Sequence, residues 1–178
     1  NRRDAAYAAE VIAAWADRYL DGAAAPRGAL LAEDVVPEGI VRVRETGAGR
    51  FQQEVRAGRH RLLADEPTAN GGFDTGPDPY GYLLSALGAC TSMTIRMYVE
   101  RKKIPLARTT VELRHSRIHA SDCADCETKE GLVDQIDRVI HLEGELTDEQ
   151  RAKLLEIADK CPVHRTLTSE IRIKTALG

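Results

Sequence analysis

The stretch that decides the fold is GPDPYGYLLSALGACTSMT, residues 76–94. Its two prolines cannot continue a β-ladder, and Asp78-Pro79 is typical of a helix start, an N-cap followed by proline at the first helical position. The apolar residues beyond it have helical spacing, so we predict a helix from Pro79 to about Lys103, before Pro105. Because this helix is apolar nearly all round, we expect it to be central and buried.

Strand patterns lie on both sides of this helix. Residues 39–63 have a strand-like pattern of apolar residues that two glycine-containing turns interrupt, and this pattern predicts an antiparallel meander. Residues 109–118 and 133–142 predict a long hairpin, and residues 167–177 predict a closing strand. In that last strand we expect Ile171 and Ile173 to point inward.

A second helix is predicted to begin at residues 147–150, where Thr-Asp-Glu-Gln forms a capping box. We expect Pro162 to end it, and its inner face to hold Leu154, Leu155, Ile157, Ala158 and Cys161. The predicted fold class is therefore α+β, with an antiparallel sheet packed around a long central helix.

The 178 residues suit one compact domain with an extension. Residues 1–37 predict an amphipathic helix, residues 5–20, followed by an alanine-rich linker, and residues 38–178 form the domain. Because the chain opens with Asn1 instead of Met, we expect it to be a piece of a longer protein.

The charge pattern narrows the choice of partners. The net charge is -3 and no long Lys/Arg block occurs, so we expect no nucleic-acid partner. The longest uncharged stretch, residues 79–95, is shorter than the ~20 apolar residues that span a bilayer, so we expect no membrane partner.

Four cysteines without a secretory leader favour a reducing compartment, the cytoplasm. Cys90 has apolar helical neighbours and, taken alone, is typical of an inert buried thiol. Cys161 is equally ambiguous. Both lie on inner helix faces, however, and could reach the Cα separation of roughly 4.4 to 6.8 Å that a disulfide needs. Such a pair in a cytosolic protein is more often catalytic than structural.

The second pair, Cys123 and Cys126, has C-x-x-C spacing and leaves three readings open: a zinc site, a labile disulfide or accessory redox pair, or an ordinary loop. His115 and His119 precede it. On a strand these two histidines would stand roughly 13 Å apart, too far to bind one ion together. We therefore predict no metal site.

Two motifs, residues 76–94 and residues 157–164 (IADKCPVH), closely resemble the OsmC/Ohr family, osmotically inducible protein C and the organic hydroperoxide resistance proteins. The likeness runs from about residue 38 to the C-terminus. Residues 65–67 and 71–72 resemble the branch that is often fused behind an α/β-hydrolase domain, so residues 1–37 would be a remnant of such an upstream partner.

The resemblance implies an intertwined homodimer that works as a thiol peroxidase on organic hydroperoxides, without cofactor or metal. Cys90 would be the peroxidatic nucleophile, and Cys161 would resolve its sulfenic acid as a disulfide. A dithiol reductant, of which the lipoyl type is one candidate, would restore both thiols. Burial would raise the pKa of Cys90, so a cation beside it is needed, and Arg50 stands at the matching place.

The Glu that orients this arginine in the family falls here on Tyr80, or on Gly81 in the fused branch. Asp65 or Glu66 could take over its task, the arginine could be held differently, or the activity could be weaker or altered. The alternative function is a non-enzymatic domain of a larger protein that senses oxidants or binds apolar ligands. A hydrolase reading finds no support because no Gly-x-Ser-x-Gly motif occurs.

Overall fold

The structure is a computed structural model that describes residues 36–124 and 126–178. The predicted N-terminal helix and linker lie outside the described residues. The described residues separate into two compact units, residues 36–44 with 54–62 and the described part of residues 45–53 with 63–178.

A three-stranded sheet forms from the first strands. Its strands are β1 Val41–Glu45, β2 Gln53–Ala57 and β3 His60–Ala64, hydrogen-bonded in that order as the predicted meander requires. In the first unit the buried carboxylate of Glu54 receives salt bridges from Arg44, Arg56 and Arg61. The hydrogen bond from Arg56 is the main reason that the pKa of Glu54 lies below its usual value.

Helix α1, Pro79–Lys102, confirms the predicted central helix almost to the residue. The side chain of Asp78 caps it by accepting from the backbone N–H of Gly81. Lys103 ends it in a left-handed conformation, φ 55°, and its own N–H bonds back to the carbonyls of Glu100 and Val99.

The residues that the structure describes cover only one face of α1. A row of residues four apart is buried, Leu87, Thr91, Ile95 and Val99. On the opposite side Met93 and Met97 are 66% and 72% exposed. The expectation of burial all round is therefore wrong for the described part of one chain, because its other elements pack against one side of the helix.

The predicted long hairpin is confirmed and is longer than expected. Strands β4, Leu106–His119, and β5, Leu132–Gly144, pair antiparallel from Leu106 opposite Gly144 to His119 opposite Leu132. At the tip the chain makes a short 3-10 turn, Ala120–Asp122.

Helix α2, Asp148–Ala158, begins at the predicted capping box, in which Thr147 and Gln150 bond each other's backbone N–H groups. Its inner residues complete a core cluster with α1 and β4, made of Ile95, Val99, Leu106, Leu154 and Ala158. Leu155 is 51% exposed, so its assignment to the inner face is wrong. It follows Leu154 by one position, which turns it about 100° away around a helix of 3.6 residues per turn.

Two expectations for the C-terminal part are also corrected. Helix α2 ends at Ala158, so Cys161 lies beyond it and not on its inner face, and Pro162 does not end α2 but opens a further short helix, α3, Pro162–Leu167, which Cys161 caps. Residues 170–178 form no strand, and Ile171 and Ile173 are exposed. Within the described part of the chain no strand pairs with this segment, and alternation alone supplies no hydrogen-bond partners.

The predicted class is confirmed: an α+β fold with antiparallel pairing and one long helix. Among the helices of residues 36–124 and 126–178, none combines the length and the apolar character needed to cross a membrane.

Leu154 and Leu155 provide a matched pair for testing the core. Leu154 is fully buried, so Leu154→Ala should lower the free energy of unfolding by about 2–5 kcal/mol, because it removes apolar contacts and leaves a cavity. Leu155→Ala should change it by about 0.5 kcal/mol or less. Urea denaturation followed by circular dichroism measures both, and equal losses would contradict the assignment of the inner face.

Candidate functional site

The structure brings the two candidate cysteines together. Cys90 lies in the middle of α1, and Cys161 is the N-cap of α3, with none of its surface exposed. Both are free thiols, and each side chain lies close enough to the other to shift its pKa. The side-chain contact joins residues far apart in sequence, so it depends on the docking of α1 against the C-terminal helices.

Hydrogen-bond donors converge on the sulfur of Cys161. The backbone N–H of His164 donates to its Sγ over 3.3 Å, and the hydroxyl of Thr91 donates over 3.8 Å. The Thr91 hydroxyl in turn accepts from Nη1 of Arg138 at 3.2 Å. Arg138 is anchored by the carbonyl of Ala158, 3.4 Å away, and by the carboxylate of Asp159, 2.5 Å away.

These contacts move the pKa values of the two thiols in opposite directions. Burial alone would raise the pKa of Cys161, but hydrogen bonds from the His164 amide, Cys90 and Thr91 outweigh burial and lower it. Burial raises the pKa of Cys90, and the neighbouring Cys161 raises it further. Cys161 is therefore the more acidic of the two thiols.

An apolar cavity of about 720 Å³ lies beside Cys90. Cys90 and the exposed Met93 and Met97 line it from α1, and Ile157 and Pro162 line it from the C-terminal helices. Its walls also include the cationic side chains Arg101 and Lys160. A drug-sized apolar molecule would fit this volume.

Arg50 lies on the loop between β1 and β2. It is not among the described residues that donate hydrogen bonds to Cys161 or Thr91. Its side chain is exposed, with the guanidinium carbon 4.8 Å from the centre of the Phe51 ring. The same loop is tied to the segment before α1, because the Gln52 amide donates to Thr75 Oγ1 over 2.8 Å.

The two acids considered as partners for Arg50 have partners in their own segment. The buried carboxylate of Asp65 accepts from Thr75 and from the backbone N–H groups of Glu66 and Phe73. Burial would raise the pKa of Asp65, but these hydrogen bonds lower it. Glu66 accepts from Asn70. The described contacts therefore support neither acid as the group that orients Arg50.

The two positions where the family carries its Glu, Tyr80 and Gly81, hold residues with different contacts in this chain. The Tyr80 ring stacks on His115 with centroids 4.0 Å apart, and His115 Nε2 lies 3.0 Å from Asp134 Oδ1. A Cβ at Gly81 would come within 3.0 Å of the Asp78 carboxylate that caps α1.

Of the three readings for the hairpin-tip pair, the structure shows the disulfide: Cys123 and Cys126 are bonded, with Cα atoms 5.5 Å apart. In the part of the chain that the structure describes, no group of three or more His, Cys, Asp or Glu is placed to hold a metal ion.

Thr91 and Arg138 are site residues that the sequence analysis missed. Thr91 interrupts an otherwise apolar row of α1, one residue after Cys90. Arg138 alternates on β5 with Ile136 and Ile140, so period-two spacing places it on their face of the strand. In both cases the sequence signal is a polar residue at a position that the periodicity assigns to the interior.

A family model described as OsmC-like protein matches residues 72–176, more than half of the chain and both cysteine motifs. The chain belongs to the OsmC family. The resemblance seen in the sequence is thereby confirmed.

Solved structures of this family share the fold of this OsmC chain. An OsmC-like protein from Mycoplasma pneumoniae has 18% identity and a TM-score of 0.55, covering 72% of this chain and 85% of its own. An organic hydroperoxide resistance protein OsmC from Legionella pneumophila has 20% identity and a TM-score of 0.52, covering 72% and 88%. An organic hydroperoxide resistance protein from Elizabethkingia anophelis has 18% identity and a TM-score of 0.53, covering 72% and 86%. Among curated proteins, none matches the chain.

Proposed function

We propose that this OsmC-family protein is a thiol peroxidase that reduces organic hydroperoxides through Cys90 and Cys161. The observation that carries the proposal is the contact of two free thiols from different elements beside an apolar cavity. The names of two structural neighbours, which are organic hydroperoxide resistance proteins, support it.

The proposed cycle consists of three balanced steps. The Cys90 thiolate attacks the O–O bond, takes one oxygen as a sulfenic acid and releases the substrate as its alcohol once a proton is supplied. Cys161 then displaces the sulfenic oxygen, which leaves as water, and forms the Cys90–Cys161 disulfide. Finally a dithiol, such as a lipoyl group, becomes a disulfide and returns both thiols by exchange.

The cavity favours an apolar substrate over hydrogen peroxide. Each methylene group that leaves water on binding is worth about 0.8 kcal/mol, so alkyl or lipid hydroperoxides gain affinity that hydrogen peroxide lacks. The proposed cycle needs no metal or organic cofactor. It suits a compartment that keeps thiols reduced, so the proposal includes a cytoplasmic location.

Consumption of cumene hydroperoxide with a dithiol reductant tests the activity. The parent protein should consume it continuously, and Cys90→Ser should abolish consumption because no other described thiol lines the cavity. Cys161→Ser should retain the first oxidation and accumulate a sulfenic acid that dimedone traps. After one equivalent of peroxide, peptide mapping of the parent should show a Cys90–Cys161 disulfide.

Cys123→Ser/Cys126→Ser is the control, and we expect it to keep the parent rate. No consumption by the parent would overturn the enzyme proposal and leave an oxidant-sensing or ligand-binding domain. A rate that depends on Cys123 and Cys126 but not on Cys161 would move the resolving role to the hairpin tip.

We include Arg50 in the proposal as the cation that stabilises the Cys90 thiolate. Arg50→Met should lower kcat/KM for cumene hydroperoxide by ~10-fold or more, because about 1.4 kcal/mol of lost charge stabilisation corresponds to one decade. Arg114→Met, which removes another exposed arginine, should keep the parent value. Equal kinetics for both variants would remove Arg50 from the site.

The proposal also includes a homodimer in which a second copy covers the exposed face of α1. The exposed Met93 and Met97 and the exposed apolar residues of the C-terminal segment support this arrangement. The domain boundary near residue 38, with residues 1–37 as the remnant of an upstream hydrolase-type partner, is proposed on the sequence pattern alone.

Light scattering tests the dimer. The parent should have about twice the mass of the 19.6 kDa chain, and Met97→Glu should shift it toward one chain because it places a charge on the covered face. Leu155→Glu, on the exposed side of α2, is the control and should keep the parent mass. A monomeric parent would rule the dimer out.

A further inference from the structure

The direction of the hydrogen bonds around Cys161 is fixed by chemistry. Arginine and backbone N–H groups can only donate, so Thr91 Oγ1 must be the acceptor of its bond with Arg138. The single hydroxyl proton of Thr91 is then left to point at Cys161 Sγ. The N–H of His164 can likewise only donate to that sulfur. The arrangement is complementary to an acceptor without a proton, a thiolate.

Arg138 is held so that its charge stays near this sulfur. Its side chain is 14% exposed, and its two terminal nitrogens bind the end of α2 and Thr91 at the same time. The carboxylate of Asp159 fixes the guanidinium from the solvent side, where that acid is 62% exposed. A guanidinium can hold several acceptors in a fixed fork, which a lysine cannot do.

We propose that Thr91 and Arg138 are positioning residues that hold Cys161 as a thiolate, ready to attack the sulfenic acid of Cys90 as the resolving nucleophile. The inference rests on the proposed function for its catalytic steps. The assignment of the charge to Cys161 stands on the hydrogen-bond geometry.

In the resolving step the Cys161 thiolate attacks the sulfur of the Cys90 sulfenic acid. The S–S bond forms as the S–O bond breaks, and the leaving hydroxide takes a proton from an acid in the solvent and departs as water.

Other charged and titratable groups come from each element around Cys161. Cys90 faces it from α1 and Arg138 approaches from β5. Asp159 and Lys160 follow α2, and His164 and Arg165 lie on α3. The pKa of Cys161 is lowered mainly by hydrogen bonds against the effect of burial, so loss of one donor should be directly measurable.

The test titrates the reduced protein by the ultraviolet absorbance of thiolate, in a Cys123→Ser/Cys126→Ser background that leaves two thiols. The parent should show one midpoint below the ordinary cysteine value of about 8.5 and one above it. Thr91→Val and Arg138→Met should each raise the lower midpoint by about 1 pH unit. Thr91→Ser, which restores the hydroxyl, should return it to within about 0.3 unit of the parent.

Arg151→Met is the matched control. Arg151 also joins α2 to β5, through the carbonyls of Leu142 and Gly144, but it does not contact Thr91 or the thiols. It should leave both midpoints unchanged. Circular dichroism tests whether each variant is folded. If Thr91→Val does not fold, Thr91→Ala and Arg138→Lys are titrated in the same way.

Unchanged lower midpoints in folded Thr91 and Arg138 variants would overturn the inference even if the protein consumes peroxide. The predicted shifts in a protein that consumes no peroxide would instead overturn the proposed function and keep the thiolate assignment.

Discussion

Packing in the unit of residues 45–53 and 63–178 depends on one row of side chains along α1, spaced four residues apart. Ile95 and Val99 enter the core with α2 and β4, Leu87 is also buried, and the fourth member is Thr91. The same row therefore sets the position of the helix and aims the hydroxyl at Cys161. Cys90 precedes Thr91 by one residue and so turns toward the cavity, because successive helix residues lie about 100° apart.

A buried thiolate is costly unless donors replace the water it loses. Here a backbone N–H, a hydroxyl and, through that hydroxyl, a guanidinium replace it. Arg138 brings its own cost of burial, which Asp159 and the Ala158 carbonyl offset. The end of α2 thus contributes two acceptors to a site whose reactive atoms lie on α1 and α3. The environment of the two thiols therefore depends on how four elements meet, α1, β5, α2 and α3.

The parts of the fold that rest on local signals were predictable. Asp78-Pro79 and the Thr147 capping box act within a few residues, and both helix starts were confirmed. The last strand was wrong because pairing needs a neighbour that no local pattern supplies. Cys90 and Cys161 could be nominated from helix spacing, whereas Arg138 was missed because charged residues are usually assigned to the surface. Its alternation with Ile136 and Ile140 was the contrary signal.

The disulfide at the hairpin tip also limits which sulfur atoms can take part in exchange. Cys123 and Cys126 are separated by three positions and are bonded to each other, whereas Cys90 and Cys161 lie on opposite sides of the whole hairpin and are free. The chain has four cysteines, so the tip bond leaves one pair of free thiols. An oxidant that forms a second disulfide within the chain therefore joins Cys90 to Cys161 without competition from a third thiol.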